Sequence, residues 1–153
     1  ITVAVALIVG GVIMILIEKR MLISIKTFSD HVSFKQALLI GLAQCFSLIP
    51  GVSRAAATIM GGVLCGLDRK TATEFSFFLA IPIIIAASLY DLIMNFHVLD
   101  KDDFVVFLVG FVTAYISALL VIRIFIRYVA HNNFIGFGWY RIIIGLITLI
   151  YFY

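Results

Sequence analysis

Five apolar stretches, separated by short charged or polar segments, set the pattern of the chain. Thr2 to Ile17 is apolar without interruption until Glu18-Lys19-Arg20. It falls somewhat short of the ~20 residues that cross a bilayer and reads as a clipped first helix. Met21 to Ser33 mixes polar and apolar positions and reads as a loop. Phe34 to Gly66 is apolar but broken at Pro50-Gly51. As helices its two arms are each about 20–25 Å long, marginal for a full crossing. This pattern predicts a re-entrant helix–loop–helix over 34–66, its tip near the middle of the membrane. Irregular backbone survives at that depth only when buried in protein or lining a wet cavity. Gly61, Gly62 and Gly66 are expected to let backbones pack closely. Asp68 is placed to cap the next helix, and Thr71 with Glu74 fits a capping box. That helix is expected over 72–96, kinked at Pro82. His97 to Asp103 reads as a polar loop, 104–122 as another crossing, and His131-Asn132-Asn133 as a turn. The last crossing, 137–153, begins with Trp139 and Tyr140 and ends with Tyr151, Phe152 and Tyr153, where interfacial aromatics belong. The predicted fold class is all-α: a polytopic helical membrane protein, one transmembrane domain over 1–153, with spans at about 2–17, 72–96, 104–122 and 137–153.

Composition supports this reading. Of 153 residues, 64% are hydrophobic and 12% charged, against roughly 25% charged in a soluble domain. An ordinary soluble enzyme, a disordered region and a nucleic-acid-binding module are thereby excluded. The net charge of +3 reads as cations retained on one side of a bilayer. Lys19, Arg20, Lys26, Lys35, Arg69, Lys70, Arg123, Arg127 and Arg141 fall on one side, and Lys101 alone opposes Asp91, Asp100, Asp102 and Asp103 on the other. The positive-inside rule puts loops 18–35, 67–70 and 123–136 in the cytoplasm, and 97–103 and the C-terminus outside. Full spanning of both hairpin arms would give the same sidedness. Cys45 and Cys65 lie in apolar runs and read as small core residues. No basic flank precedes the first apolar run, so Ile1 reads as an internal start, not a signal peptide.

One ionisable residue lies inside an apolar stretch. Arg54 follows Pro50-Gly51-Val52-Ser53 at the expected hairpin tip, where a charge costs several kcal/mol unless paired or hydrated. A helix start follows it in Ala55-Ala56-Ala57-Thr58. Unpaired N–H groups and the positive end of the helix dipole, with a guanidinium and the Ser53 and Thr58 hydroxyls, suit an anion, phosphate above all. Gly51 permits a tight turn and close approach to a ligand. The plainer alternative is a Pro-Gly break with Arg54 snorkelling to a surface. Gln44 either bonds a neighbouring helix or lines the site. Glu74 either caps its helix or supports the site. Asp100, Asp102 and Asp103 read as a solvated acidic loop, and His31, His97 and His131 show no ligand spacing.

The residues around Arg54 carry a specific resemblance. Gly41-Leu42-Ala43-Gln44, then Pro50-Gly51-Val52-Ser53-Arg54, Thr58-Ile59 and Gly61-Gly62 resemble the second signature of the bacterial undecaprenyl-diphosphatase family, the bacitracin-resistance type. Glu74-Phe75-Ser76-Phe77-Phe78-Leu79-Ala80-Ile81-Pro82 and Tyr140-Arg141 with Gly145 resemble later segments of that family. The resemblance runs nearly the length of the chain. Ala55-Ala56 stand where the family has Ser-Gly, which removes a hydroxyl and a flexible position. The family's other signature, an acidic E-x-x-x-E with a following S-S-x-G-H, is absent. Gln44 and Leu48 occupy the positions corresponding to that acidic pair. The chain therefore resembles the C-terminal half of such an enzyme, one half of an inverted-repeat bundle.

The resemblance implies removal of the terminal phosphate from undecaprenyl diphosphate, giving undecaprenyl phosphate for cell-wall synthesis in the bacterial plasma membrane. It implies that Arg54 clamps the diphosphate, helped by Ser53, Thr58 and the backbone near Gly51. It further implies Mg²⁺ or Ca²⁺, with metal ligands and nucleophile in the missing N-terminal half and no metal ligand in this one. Expected partners are the polyprenyl diphosphate lipid, the membrane and that missing half, with no nucleic acid. A lipid flippase or transporter, which also uses broken helices, and a non-catalytic membrane subunit are the alternatives.

Overall fold

A computed structural model describes residues 1–23, 28–96 and 103–152. Among these described residues six α-helices follow one another: α1 Thr2–Ile23, α2 Phe34–Gln44, α3 Arg54–Leu64, α4 Arg69–Asn95, α5 Asp103–His131 and α6 Ile135–Phe152. A 3₁₀ turn, Cys45–Leu48, continues α2. Among the described residues there is no β-strand, only an isolated bridge between Ser29 and Leu67. Helices α1, α4, α5 and α6 are each long and apolar enough to cross a membrane. The chain is a multi-pass helical membrane protein.

The stretch 34–66 forms a hairpin whose outer ends meet. Ser33 caps α2 in a capping box with Gln36, which satisfies two otherwise orphaned donors. The Gln36 side chain then donates to the Cys65 carbonyl at 3.0 Å, across the mouth of the hairpin. Ser29 N–H donates to Gly66 O, and Asp68 N–H to Ser29 O. Both arms therefore start and finish at one end of the molecule. Gly66, at φ +89°, stops α3. Leu67 N–H reaches Gly62 O and Gly66 N–H reaches Val63 O, the pairing of a Schellman stop that needs a left-handed residue. Gly66 is thus a helix terminator, whereas Gly61 and Gly62 are the close-packing positions. A Cβ on Gly61 would meet Ala43 Cβ at 2.8 Å, and one on Gly62 would meet Ala72 Cβ at 2.9 Å.

Helices α1 and α6 run antiparallel with their backbones in contact. A Cβ on Gly138 would lie 2.9 Å from Gly11 O, and one on Gly11 would lie 2.6 Å from Gly138 O. Dispersion over this close approach supplies the association that water-driven burial cannot supply between helices in lipid. The apolar core sits where α1 to α4 meet the end of α5. It comprises Met14, Ile17, Ile40, Ile59, Met60, Val63, Leu67, Ala72, Val129 and Phe134. The edge-on ring contacts Phe77–Phe125 and Phe125–Phe137 tie α4, α5 and α6 together at the same end.

Three element boundaries differ from the sequence reading. Helix α1 does not end at Ile17 but continues to Ile23. Glu18 is fully buried there and pairs with Arg69. The pair removes the penalty that made Glu18 look like an interface marker. Helix α5 continues past Ile122 to His131, and α6 starts at Ile135, so Arg123 and Arg127 are helical and Arg141, grouped above with the cytoplasmic cations, lies well inside α6. Asp68 does cap α4, accepting from Thr71 N–H at 2.8 Å. Glu74 takes no part in a capping box. It lies in the second turn and pairs with Lys70 at 3.8 Å. Helix α4 is continuous through Pro82. The expected loop residues 97–102 lie outside the described residues.

Candidate functional site at the hairpin tip

The tip spans Ile49 to Ser53. Val52 N–H turns back to Ile49 O at 3.0 Å, and Gly51 adopts φ +96°. No L side chain suits that conformation. Space forbids one too, since a Cβ on Gly51 would lie 2.7 Å from Val3 O and 3.0 Å from Ala6 Cβ. The turn is pressed against the backbone of α1. Val3 and Glu18 are 15 residues apart. The tip therefore lies about 22 Å along α1 from the Glu18–Arg69 pair.

Ser53 caps α3, its Oγ accepting from Ala56 N–H at 3.2 Å. The side chain is exposed, and its hydroxyl proton is left to point outward. Ala57 N–H is used by Ser53 O. The N–H groups of Arg54 and Ala55 have no partner among the described residues, as expected for the first turn of a helix. Arg54 is half-buried and spends one N–H on the Ser76 carbonyl of α4, at 3.3 Å. That bond steers the guanidinium along α4. Its other donors make no hydrogen bond to the described residues. Two backbone donors and the Ser53 hydroxyl thus lie at the N-terminus of α3, and the Arg54 guanidinium extends from it toward Ser76.

Thr58 sits elsewhere. It is fully buried, and its hydroxyl contacts Ser76 Oγ at 2.6 Å and the carbonyls of Arg54 and Ala55 at 3.0 and 3.1 Å. Its bonds join α3 to α4 one turn behind the tip. Gln44 ends α2 with Oε1 buried and unpartnered, the one polar side-chain atom on that arm facing inward without a hydrogen bond among the described residues. Glu74 is half-exposed beside Lys70, two residues before Ser76. Among the described residues no group of three or more His, Cys, Asp or Glu is placed to hold a metal ion. Cys45 and Cys65 are free thiols, and Cys45 is exposed, not in the core.

Arg141 is the residue the sequence reading placed wrongly. It is 8% exposed, in the middle of α6. Its Nη2 donates to Gly51 O at 3.1 Å and lies 3.5 Å from Ala6 O. Its Nε has no partner among the described residues. The guanidinium lies over Gly10, where a Cβ would meet Nη2 at 2.6 Å. The visible signal was a lone arginine six residues into an apolar helix, the same signal that marked Arg54. Its position next to Trp139 and Tyr140 made it look interfacial.

The class defined so far is a polytopic helical membrane protein with an internal hairpin that carries an arginine at the start of its second arm. The family follows from comparison. The chain belongs to the bacitracin resistance protein BacA family, whose model matches residues 1–147. It is 50% identical over 153 residues to an undecaprenyl-diphosphatase of Methanococcus aeolicus, covering 98% of this chain and 60% of the relative. It is 53% identical to an undecaprenyl-diphosphatase of Nitrosomonas eutropha, covering 97% of this chain and 54% of the relative. It is also 50% identical to undecaprenyl-diphosphatase 2 of Shewanella oneidensis, covering 95% and 55%. The chain thus spans little more than half the length of these curated relatives.

Proposed function

We propose that this chain supplies the phosphate-binding half of an undecaprenyl-diphosphate phosphatase. The reading rests above all on Arg54, the first residue of α3, whose guanidinium gives one N–H to the Ser76 carbonyl and has no acid paired with it among the described residues. The names of relatives about 50% identical support it. The lipid tail stays in the bilayer while the diphosphate meets the hairpin tip. Arg54, Ser53 and the N–H groups of Arg54 and Ala55 hold the terminal phosphate and offset the charge that builds on its oxygens. Gly51 lets the backbone turn inward, and Arg141 holds that turn by its carbonyl. Thr58, through Ser76, fixes α3 against α4. Gln44 lines the approach, and Glu74 supports α4 beside it.

The attacking group and the acid–base residues belong, in this reading, to the portion of the relatives that the chain does not cover, an N-terminal half. That half is the partner assigned to the exposed apolar faces of α5 and of α4 beyond Ala80. The Mg²⁺ or Ca²⁺ that the resemblance implies does not fit the described residues, which hold no cluster of ligands for it. No step here is routed through a metal. Membership of the bacterial plasma membrane, with the Arg69 and His131 ends of α4 and α5 in the cytoplasm, completes the proposal. Bacitracin resistance then follows from keeping undecaprenyl phosphate in supply.

The test is phosphate release from a polyprenyl diphosphate in detergent, by this chain alone and with a family front half co-expressed. Activity is expected only in the combined sample. Arg54→Ala is expected to abolish it while helicity and thermal stability hold. Most of the activity surviving in Arg54→Ala would refute the clamp. Intact lipid moved across a vesicle membrane without phosphate release would favour a flippase.

A further inference from the structure

A second polar feature lies far from the hairpin tip. Between the first turn of α4 and the last third of α5 is a cavity of about 940 Å³. Lys70, Arg123, Arg127 and His131 line it, with Leu120 and Ile124 on its apolar side. Arg123, Arg127 and His131 follow each other at intervals of four and so share one face of α5. Arg123 and Arg127 have no ion pair among the described residues. His131 Nδ1 lies 3.0 Å from Arg127 O, and Lys70 shares Glu74 at 3.8 Å. Of the other acids at this end, Glu18 is buried against Arg69 and Asp68 is spent on the cap of α4. Like charges at i, i+4 repel, so an uncompensated pair of arginines here asks for an anion.

Depth identifies that anion. The apolar part of α5, Phe104 to Ile122, is about 28 Å long as a helix. That matches the roughly 30 Å of bilayer hydrocarbon. Arg123 therefore stands at the edge of the hydrocarbon, and Arg127 and His131 stand about 6 and 12 Å beyond it, at headgroup level. Leu120 and Ile124 continue the cavity wall toward the acyl chains. From this we infer that the cavity is a binding site for an anionic phospholipid, with its phosphate on Arg123, Arg127 and Lys70 and its chains against Leu120 and Ile124. Basic pockets between helices on the positively charged side hold such headgroups. A free phosphate would not use the apolar wall.

The site is independent of the proposed hydrolase activity and is tested on the chain itself. The chain is placed in nanodiscs of equal phosphatidylglycerol and phosphatidylcholine, released into the gas phase, and the retained lipids are weighed. Three proteins are compared: wild type, R123Q/R127Q and K19Q/R20Q. The last removes the same charge from exposed residues of α1 outside the cavity. Each cation near the headgroups contributes about a fivefold preference for anionic lipid, so R123Q/R127Q should lose roughly twenty- to thirtyfold. Wild type and K19Q/R20Q should both retain phosphatidylglycerol. Both variants falling together would overturn the site in favour of diffuse surface charge. Unchanged retention in R123Q/R127Q, or no preference in wild type, would overturn it as well and leave the cavity to a protein segment.

Discussion

The buried pair Glu18–Arg69 makes an asymmetric prediction. Arg69 Nε and Nη2 lie 2.6 and 2.5 Å from the same oxygen of Glu18. The Glu18 side chain is fully buried and its second oxygen has no partner among the described residues, whereas the Arg69 side chain is 24% exposed. Arg69→Ala strands a carboxylate among apolar neighbours, which costs about 3–5 kcal/mol. Glu18→Ala strands instead a guanidinium on a flexible stem that can swing out to the headgroups. Its cost is the lost hydrogen bonds to a charged group, about 1.5–3 kcal/mol, reduced by that rehydration. Replacing both with apolar residues of similar volume, as in E18M/R69M, removes charge and desolvation together and should come within about 1 kcal/mol of wild type or exceed it. A domain of this size loses roughly 2–4 °C per kcal/mol. Thermal unfolding in mild detergent, followed by circular dichroism, should rank the proteins R69A, then E18A, then wild type and the double variant together. Because the pair is buried, added salt should not change the order. Equal losses in R69A and E18A, or a double variant as unstable as R69A, would refute the argument.

Other expectations follow from single contacts. Gly51→Ala meets a positive φ and the Val3 carbonyl at once. It should cost at least the 1–2 kcal/mol of a left-handed residue and, in the assembled enzyme, remove phosphate release. Arg141→Gln loses a charged hydrogen bond to the Gly51 carbonyl, about 1.5–3 kcal/mol. Its thermal loss should exceed that of Arg141→Lys, which keeps the charge. Gly138→Val forces α1 and α6 apart at a 2.5 Å approach to Ile15. Its melting point should drop by several degrees, whereas Gly136→Ala, with nothing within 4 Å, should melt no lower than wild type.

The parts of the fold that local pattern encodes were readable in the sequence. Pro50-Gly51 in an apolar stretch marked the hairpin tip, and Asp68 marked the start of α4. Ser33-Phe34-Lys35-Gln36 carries an equally local S-x-x-Q capping signature at the start of α2. The misplaced features depend on distant residues. Glu18 looked like a helix end because its partner lies 51 positions away. Arg141 looked interfacial because the carbonyl it holds lies 90 positions back. Thr58 looked like a ligand donor because Ser76, which occupies its hydroxyl, is on another helix. A charged residue in an apolar stretch is ambiguous until its partner is located, and hydropathy carries no information about partners.

The hydrogen bond from Arg141 to Gly51 also orders events in time. The hairpin arms, α2 and α3, have 11 residues each, too few to be retained by lipid alone. Their turn rests on Val3 and Ala6, made before it, and on Arg141, made long after. During synthesis the tip therefore waits, seated on α1 but not secured, until α6 enters the membrane and delivers its guanidinium. A crossing made some 90 residues later is the one that locks the turn before Ser53 and Arg54. A nascent chain stopped before α6 should present its hairpin tip to proteases, and completion of α6 should close it.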